Sequence, residues 1–162
     1  MSNILTLLNQ SEKPPLRPSE LLGHEGEKLA ARYLQENGYR LVLTNFKAPV
    51  GRNSKGVQVT GEIDIIALDG DTLCFVEVKA RRSEAFAPAI TAVHNRKQRQ
   101  IARTARVYGR LFSLTDMPKR YDVVTVIMNE RSGPQLTLSK GHWNDGVLTR
   151  KVWREYAWED RF

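Results

Sequence analysis

Residues 61 to 81, GEIDIIALDGDTLCFVEVKAR, restrict how this chain can fold more than any other segment. Two apolar runs flank the dipeptide Asp69-Gly70, which is a strong signal for a tight turn between antiparallel strands. The segment therefore predicts a β-hairpin, and side chains alternate between the two faces of each strand. The faces expected to meet carry Glu62, Asp64, Ile66 and Leu68 on the first strand and Leu73, Phe75, Glu77 and Lys79 on the second.

Two turn lengths are compatible with this hairpin, and they give different cross-strand neighbours. A four-residue loop pairs Leu68 with Leu73 and sets Asp64 opposite Glu77. A two-residue loop pairs Leu68 with Asp71, so that Asp64 lies diagonal to Glu77. Both registers keep the two carboxylates on one face, because the registers differ by two residues. We therefore expect the carboxylates to be close in either case.

Two neighbouring carboxylates on a partly apolar face repel each other. At about 6 Å and an effective dielectric of about 20, the repulsion is roughly 3 kcal/mol. A shared divalent cation would offset it, and carboxylate oxygens favour Mg²⁺ or Mn²⁺ over zinc. Lys79 follows Glu77 on the same face, where it could orient or deprotonate an attacking water or stabilise charge on a phosphate. The alternative is a charged ladder on an exposed sheet edge.

Positive charge is concentrated in one segment of the chain. The formal net charge is +7, and the segment from Lys79 to Arg110 contains nine Lys and Arg residues but one acidic residue, Glu84. A polyanion such as a nucleic acid is the expected partner, and a solvated helix face is the alternative. A helical pattern from about Ala89 to Phe112 carries most of this charge. The arginines on its basic face are Arg96, Arg99, Arg103, Arg106 and Arg110.

The remaining pattern predicts an α/β fold. A first helix is predicted over residues 19–37, with Ser19 as its N-cap. Residues 39–45 read as a strand, residues 46–60 as a mobile loop rich in Gly, Pro and basic side chains, and residues 121–128 as a buried strand. The order helix, three strands, helix, strand predicts an α/β sandwich with a mixed sheet.

Charged residues outside the hairpin leave two alternatives each. Glu27 points along the buried stripe of the first helix, where it either pairs with a distant arginine or serves a functional site. Lys47, Arg52 and Lys55 in the predicted loop either contact a phosphate backbone or belong to a tolerated surface insertion.

Composition limits the class of protein further. The single cysteine, Cys74, excludes a disulfide framework and favours the reducing cytoplasm. No apolar run approaches the roughly 20 residues of a membrane helix, so we expect no membrane contact. Residues 1–18 are predicted to be a flexible extension and residues 19–162 a single domain, in which LTRKVW near the end is a weak strand candidate.

The order Asp64, then Glu77-Val78-Lys79, resembles the signature of the PD-(D/E)xK nuclease superfamily. The surrounding sequence, over about residues 23–128, is similar to the bacterial YraN family, which is related to archaeal Holliday junction resolvases. The similar segments are GHEGEKLAARYLQENGY, Asn45, GEIDIIALDG, FVEVKAR, AVHNRKQRQIA and RYDVVTV. The chain departs from the family pattern in a longer link before Gly61 and in Ile63, where the signature often has proline.

This resemblance implies a restriction-endonuclease-like three-layer sandwich with a mixed central sheet. It implies an endonuclease that uses Mg²⁺ or Mn²⁺ to cut structured or branched DNA, in repair or recombination. Asp64 and Glu77 would bind the metal, Lys79 would assist the water, and Glu27 would be a further acidic group. A homodimer would fit an enzyme that makes two symmetric cuts.

The resemblance also implies a DNA-facing surface that includes Arg81 and Lys97. Gln98, on the inner stripe of the basic helix, either approaches the same cleft or is an amide at the edge of the core. The residues predicted to contact nucleic acid are Arg81, Arg96, Lys97, Gln98, Arg99, Arg103 and Arg106. Two other functions share these residues, a non-catalytic nucleic-acid-binding module that retains the fold and a nuclease that acts on RNA.

Overall fold

A computed structural model describes residues 15–83, 93–129 and 131–148 of the chain. These residues form two α-helices, five strands and one short 3-10 helix. The helices are α1 (Pro18–Glu36) and α2 (Asn95–Leu111), and the 3-10 helix is Asp145–Leu148. The strands are β1 (Arg40–Arg52), β2 (Gln58–Asp69), β3 (Thr72–Arg81), β4 (Lys119–Asn129) and β5 (Gly133–Trp143).

The five strands form one mixed sheet in the order β1-β2-β3-β4-β5. Neighbouring strands are antiparallel except β3 and β4, which are parallel because α2 connects them across a face of the sheet. Ala30 and Leu34 of α1 pack on one face, and Ile101 and Ala105 of α2 pack on the other. The predicted three-layer α/β sandwich with a mixed sheet is therefore confirmed.

The interior strands are buried on both faces, which explains their composition. Every residue of β4 from Tyr121 to Ile127 is buried, so that this strand shows no alternation of exposed and buried positions, and its polar members Asp122 and Thr125 are buried as well. Phe75 and Tyr121 belong to the cluster beneath α2, whereas Val76 and Val124 belong to the cluster beneath α1. The strand predicted over residues 121–128 is confirmed.

The predicted loop over residues 46–60 is wrong. β1 continues to Arg52 and β2 begins at Gln58, so that the two strands form a long antiparallel hairpin. Pro49 suggested a loop because proline cannot donate a ladder hydrogen bond. β1 is an edge strand, however, and an edge strand can accommodate proline.

Both helices begin at residues that differ from the predicted ones. α1 starts at Pro18 with Arg17 as N-cap, because the Glu20 carboxylate accepts a hydrogen bond from the Arg17 backbone N–H at 2.8 Å. Ser19 is therefore inside the helix instead of capping it. α2 starts at Asn95, six residues later than predicted, and the residues between 84 and 92 are not among those described.

β5 is an additional strand that the sequence pattern did not indicate. It pairs with β4, and Trp143 at its end stacks on Tyr121 with the ring centroids 5.3 Å apart. Of the extension predicted over residues 1–18, residues 1–14 lie outside the described residues. Of the LTRKVW segment, everything after Leu148 lies outside them as well. Neither described helix is long and apolar enough to cross a membrane.

Candidate functional site

The β2–β3 turn has the register of the four-residue loop. Leu68 pairs with Leu73, and Gly70 in the turn has a φ of 58°. The antiparallel pairing extends from the turn to Ile65 and Val76 and ends there. The next two residues in this register are Asp64 and Glu77, so they lie where the two strands separate.

The side chain of Asp64 bridges the gap between the separating strands. Its Oδ2 accepts a hydrogen bond from the Val78 backbone N–H at 2.8 Å, in place of a ladder carbonyl. Regular alternation is also broken here, because Ile63 and Ile66 both belong to the cluster beneath α2. The prediction that Glu62, Asp64, Ile66 and Leu68 share one face of β2 is therefore wrong at this point. Asn45, opposite Asp64 in the β1 register, has a φ of 54°, a left-handed conformation that Asn tolerates well.

Glu77 is buried between two lysines. It is 2% exposed, and its Oε1 accepts a hydrogen bond from Lys79 Nζ at 2.7 Å. Lys97 Nζ, from α2, lies 3.2 Å from Oε2. That distance permits an ion pair, but Oε2 accepts no hydrogen bond from the described residues. Each oxygen of this buried carboxylate therefore faces a lysine ammonium, and a further cation would compete with Lys97 for Oε2.

The electrostatics of the site reflect one buried acid, Glu77, and one partly buried acid, Asp64. Burial, and then the charge of Glu77, raise the pKa of Asp64 to about 7, although the Val78 hydrogen bond and Lys97 act in the opposite direction. Burial alone would lower the pKa of Lys97, but the carboxylates of Glu77 and Asp64 raise it above its ordinary value. The two acids are therefore close enough to repel and to share Lys97 as a counter-charge.

Helix α1 brings a third carboxylate towards this pair. The negative charge of Glu27 contributes to the raised pKa of Asp64. Gly26 allows this approach, because a Cβ at that position would overlap the Cβ of Ala80 in β3. Among the residues that the structure covers, the ionisable neighbour of Glu27 is His24, whose Nδ1 lies 3.9 Å from Oε2, and not the distant arginine that was one alternative.

The residues predicted to contact nucleic acid lie in different places. Arg96, Arg99 and Arg103 line a groove beside the β1–β2 hairpin, and Arg106 lines a separate cavity of about 220 Å³ near Lys119. The remaining three predicted residues, Arg81, Lys97 and Gln98, do not line either cavity. Arg81 ends β3, Lys97 contacts Glu77, and the Gln98 amide donates to the Val93 carbonyl at 2.8 Å.

Lys97 is the component of the acidic site that the sequence interpretation assigned to a different role. The helical pattern contained a signal for its position, because Lys97 precedes the buried Ile101 by four residues and therefore lies on the inward-facing stripe of α2.

The donor set suits a hard divalent cation. Asp64 and Glu77 offer carboxylate oxygens, and Oε2 of Glu77 is buried without a hydrogen bond. Mg²⁺ and Mn²⁺ commonly take one or two protein carboxylates and complete their shell with water and phosphate oxygens. No cluster of three or more His, Cys, Asp or Glu side chains arranged to hold a metal occurs within residues 15–83, 93–129 and 131–148. The two carboxylates of Asp64 and Glu77 would supply only part of the coordination shell of a cation.

Fold and site together define a three-layer α/β protein with a buried, lysine-flanked acid pair where two strands separate. Residues 26–126 match the model of the uncharacterised protein family UPF0102. The chain belongs to this family, which confirms the resemblance to YraN proteins.

Relatives in other bacteria share most of the chain. A UPF0102 protein of Geotalea uraniireducens is 39% identical over 71% of this chain and 83% of its own length. The corresponding protein of Chlorobium chlorochromatii is 45% identical over 70% of this chain and 78% of its own. That of Paenarthrobacter aurescens is 38% identical over 78% of this chain and 96% of its own. Among solved structures, the crystal structure of SSO0001 matches with a TM-score of 0.40 and 17% identity, over 90% of this chain and 64% of that one.

Proposed function

We propose that this protein is a divalent-metal-dependent endonuclease that hydrolyses phosphodiester bonds of structured or branched DNA. The observation that carries the proposal is the placement of Asp64 and Glu77 at the point where β2 and β3 separate. Burial and mutual repulsion raise the pKa of Asp64 to about 7, so that a shared cation would relieve an unfavourable interaction.

Each residue of the site has a role in this chemistry. Asp64 and Glu77 would hold Mg²⁺ or Mn²⁺, which when bound polarises a phosphoryl oxygen and lowers the pKa of a bound water. Lys79, 2.7 Å from Glu77, can donate a hydrogen bond either to the attacking water or to a phosphate oxygen. Glu27 adds negative charge beside Asp64, which strengthens the attraction for a cation.

A second candidate function is a nucleic-acid-binding module without catalysis. It is favoured by the ion pairs of Glu77, because Lys79 and Lys97 can neutralise this carboxylate without a metal. In that case the acid pair would be structural, and the basic surface would carry the whole function.

Cleavage assays on duplex, flap, four-way junction and single-stranded DNA, with Mg²⁺ or Mn²⁺, separate the two functions. We expect cutting of branched DNA by the wild type, and a loss of about 10²-fold or more for Asp64→Asn and Lys79→Ala with binding retained. Asp71→Asn is the matched control, because Asp71 is an exposed aspartate in the β2–β3 turn. Binding without cutting of any substrate would establish the binding module. RNA versions of the same substrates identify an RNA-directed nuclease.

A further inference from the structure

A groove of about 590 Å³ lies between the β1–β2 hairpin and the N-terminal half of α2. Its lining combines one arginine from the hairpin with three from the helix. These arginines are Arg52, Arg96, Arg99 and Arg103. The other described residues of the lining are apolar or uncharged polar side chains, and none of them is acidic.

The contact between α2 and β2 fixes the base of this groove. Gln100 Nε2 donates a hydrogen bond to the Thr60 carbonyl at 2.9 Å. The adjacent Gly61 packs so closely on α2 that an added Cβ would overlap Oγ1 of Thr104. The helix and the strand therefore cannot separate without the loss of these contacts, and the groove is present before any ligand binds.

Local hydrogen bonds also fix the outer wall. Oδ1 of Asn53 accepts hydrogen bonds from the backbone N–H groups of Lys55 and Val57, both at 2.9 Å. Arg52 Nη1 donates to the Gly56 carbonyl at 2.7 Å. These bonds order the hairpin tip and hold the Arg52 guanidinium in an exposed position at the groove.

Four guanidinium groups in one groove repel one another. Partial burial, and then the charge of Arg99, lower the pKa of Arg103. The three helix arginines recur at intervals of three and four residues, so that they form a row along one side of α2. Arginine binds phosphate through paired N–H donors, so that this row of arginines suits a row of phosphates.

The groove and the acid pair both contact the first turn of α2. Lys97 follows Arg96 directly in α2, yet its ammonium contacts Glu77. The same turn of helix thus contributes one side chain to the groove and one to the acids, which makes the two regions neighbours. A bound strand could therefore contact both.

We propose that this groove binds the phosphate backbone of a DNA strand and that the β1–β2 hairpin is its outer wall. The choice of DNA as the ligand rests on the proposed function, whereas the binding of a polyphosphate backbone rests on the groove itself. Contacts with phosphates carry no direct base information, so the groove would position the strand without reading its sequence.

Fluorescence anisotropy with labelled DNA in EDTA, over a series of KCl concentrations, tests the groove without cleavage. Arg52→Gln and Arg103→Gln should each reduce the slope of log affinity against log salt by about 1, and the double variant by about 2. Arg32→Gln is the matched control, because Arg32 is exposed on α1 across the sheet. A strand whose phosphates are replaced by neutral methylphosphonates should bind weakly and show no effect of Arg52→Gln.

Wild-type slopes for Arg52→Gln and Arg103→Gln would overturn the proposal, and so would an equal reduction in the Arg32→Gln control. The exposed Arg52 keeps the test decisive even if Arg103→Gln disturbs folding. Since EDTA removes divalent cations, the result is independent of catalysis. If the salt slopes do not change but the protein still cuts DNA, the groove proposal fails and the nuclease proposal stands. If the slopes change as expected but no substrate is cut, the nuclease proposal fails and the groove proposal stands.

Discussion

The ammonium of Lys97 lies 3.2 Å from Oε2 of Glu77, so that helix α2 is joined to the centre of the sheet by an ion pair with a buried carboxylate. Lys79 occupies the other oxygen of the same carboxylate. Asp64, in contrast, accepts one hydrogen bond from a neutral backbone N–H group. The two lysine ammonium groups are thus both beside Glu77 and not beside Asp64. A cation that binds both acids must share Glu77 with Lys97.

Removal of Lys97 should therefore tighten the binding of a divalent cation. We expect Lys97→Met to bind Mn²⁺ roughly tenfold more tightly than the wild type, equivalent to about 1.4 kcal/mol, because the competing ammonium is lost. The shift of melting temperature at fixed Mn²⁺ concentrations measures this. Arg96→Gln is the control for loss of one positive charge on the same helix. Weaker Mn²⁺ binding by Lys97→Met would show that Lys97 supports the metal instead.

The raised pKa of Asp64 should make stability depend on pH. The ordinary value is 3.8 and the folded-state pKa is about 7, so that the folded state binds more protons between these values. In EDTA, the contribution of Asp64 is therefore present below about pH 4 and is lost as the pH rises through about 7. Above that range, Asp64→Asn should be more stable than the wild type by more than about 1 kcal/mol.

Urea denaturation across this pH range measures the effect as a difference in the free energy of unfolding. The exposed Asp71→Asn serves as the control, and its difference from the wild type should not change with pH. If the difference in unfolding free energy between Asp64→Asn and the wild type also stayed constant with pH, the raised pKa of Asp64 beside Glu77 would be contradicted.

Two glycines of α1 should respond in opposite ways to alanine. A Cβ at Gly26 would overlap Ala80, so Gly26→Ala should cost about 1–3 kcal/mol as the helix is forced away from β3. Gly23 has no neighbour within 4 Å, so Gly23→Ala should stabilise by up to about 1 kcal/mol through helix propensity. Thermal unfolding of both variants checks this, and equal stabilisation would mean that α1 does not pack closely on β3.

A buried ionic network on the α1 face should stabilise the fold without serving the site. Asp122 is fully buried and accepts hydrogen bonds from Arg120 and from the Gly141 backbone N–H, each at 2.8 Å. Asp122→Ala should cost about 3 kcal/mol or more, because it leaves these donors unpaired. Denaturant unfolding measures the loss, with the exposed Asp116→Ala as control. A loss below about 1 kcal/mol would contradict the importance of the network.

The β2–β3 hairpin could be predicted from the sequence because its determinants are local. An Asp-Gly turn and two apolar runs specify the pairing, and its register places Asp64 and Glu77 directly after the last pair, Ile65 and Val76. The turn length remained open, since both registers satisfy the apolar pattern. The separation of the strands at Asp64 was not predictable, because no feature of the two apolar runs indicates that the Asp64 carboxylate replaces a ladder carbonyl and accepts the Val78 backbone N–H.

The β1–β2 hairpin was not predicted, because its sequence has the composition of a loop. Pro49 and Gly51 weaken the strand pattern, and the register is irregular between them. What makes these residues a strand is tertiary: they pair with β2, whose Gly61 packs against Thr104 of α2. A contact between residues so far apart in sequence leaves no periodic signal within the segment.

Calorimetric titration with Mn²⁺ tests most directly whether residues 64 and 77 share one ion. The account predicts one Mn²⁺ per wild-type chain and at least about tenfold weaker binding for both Asp64→Asn and Glu77→Gln. Asp71→Asn should bind as the wild type does. Wild-type affinity in both site variants, or a loss in only one of them, would contradict a jointly held cation.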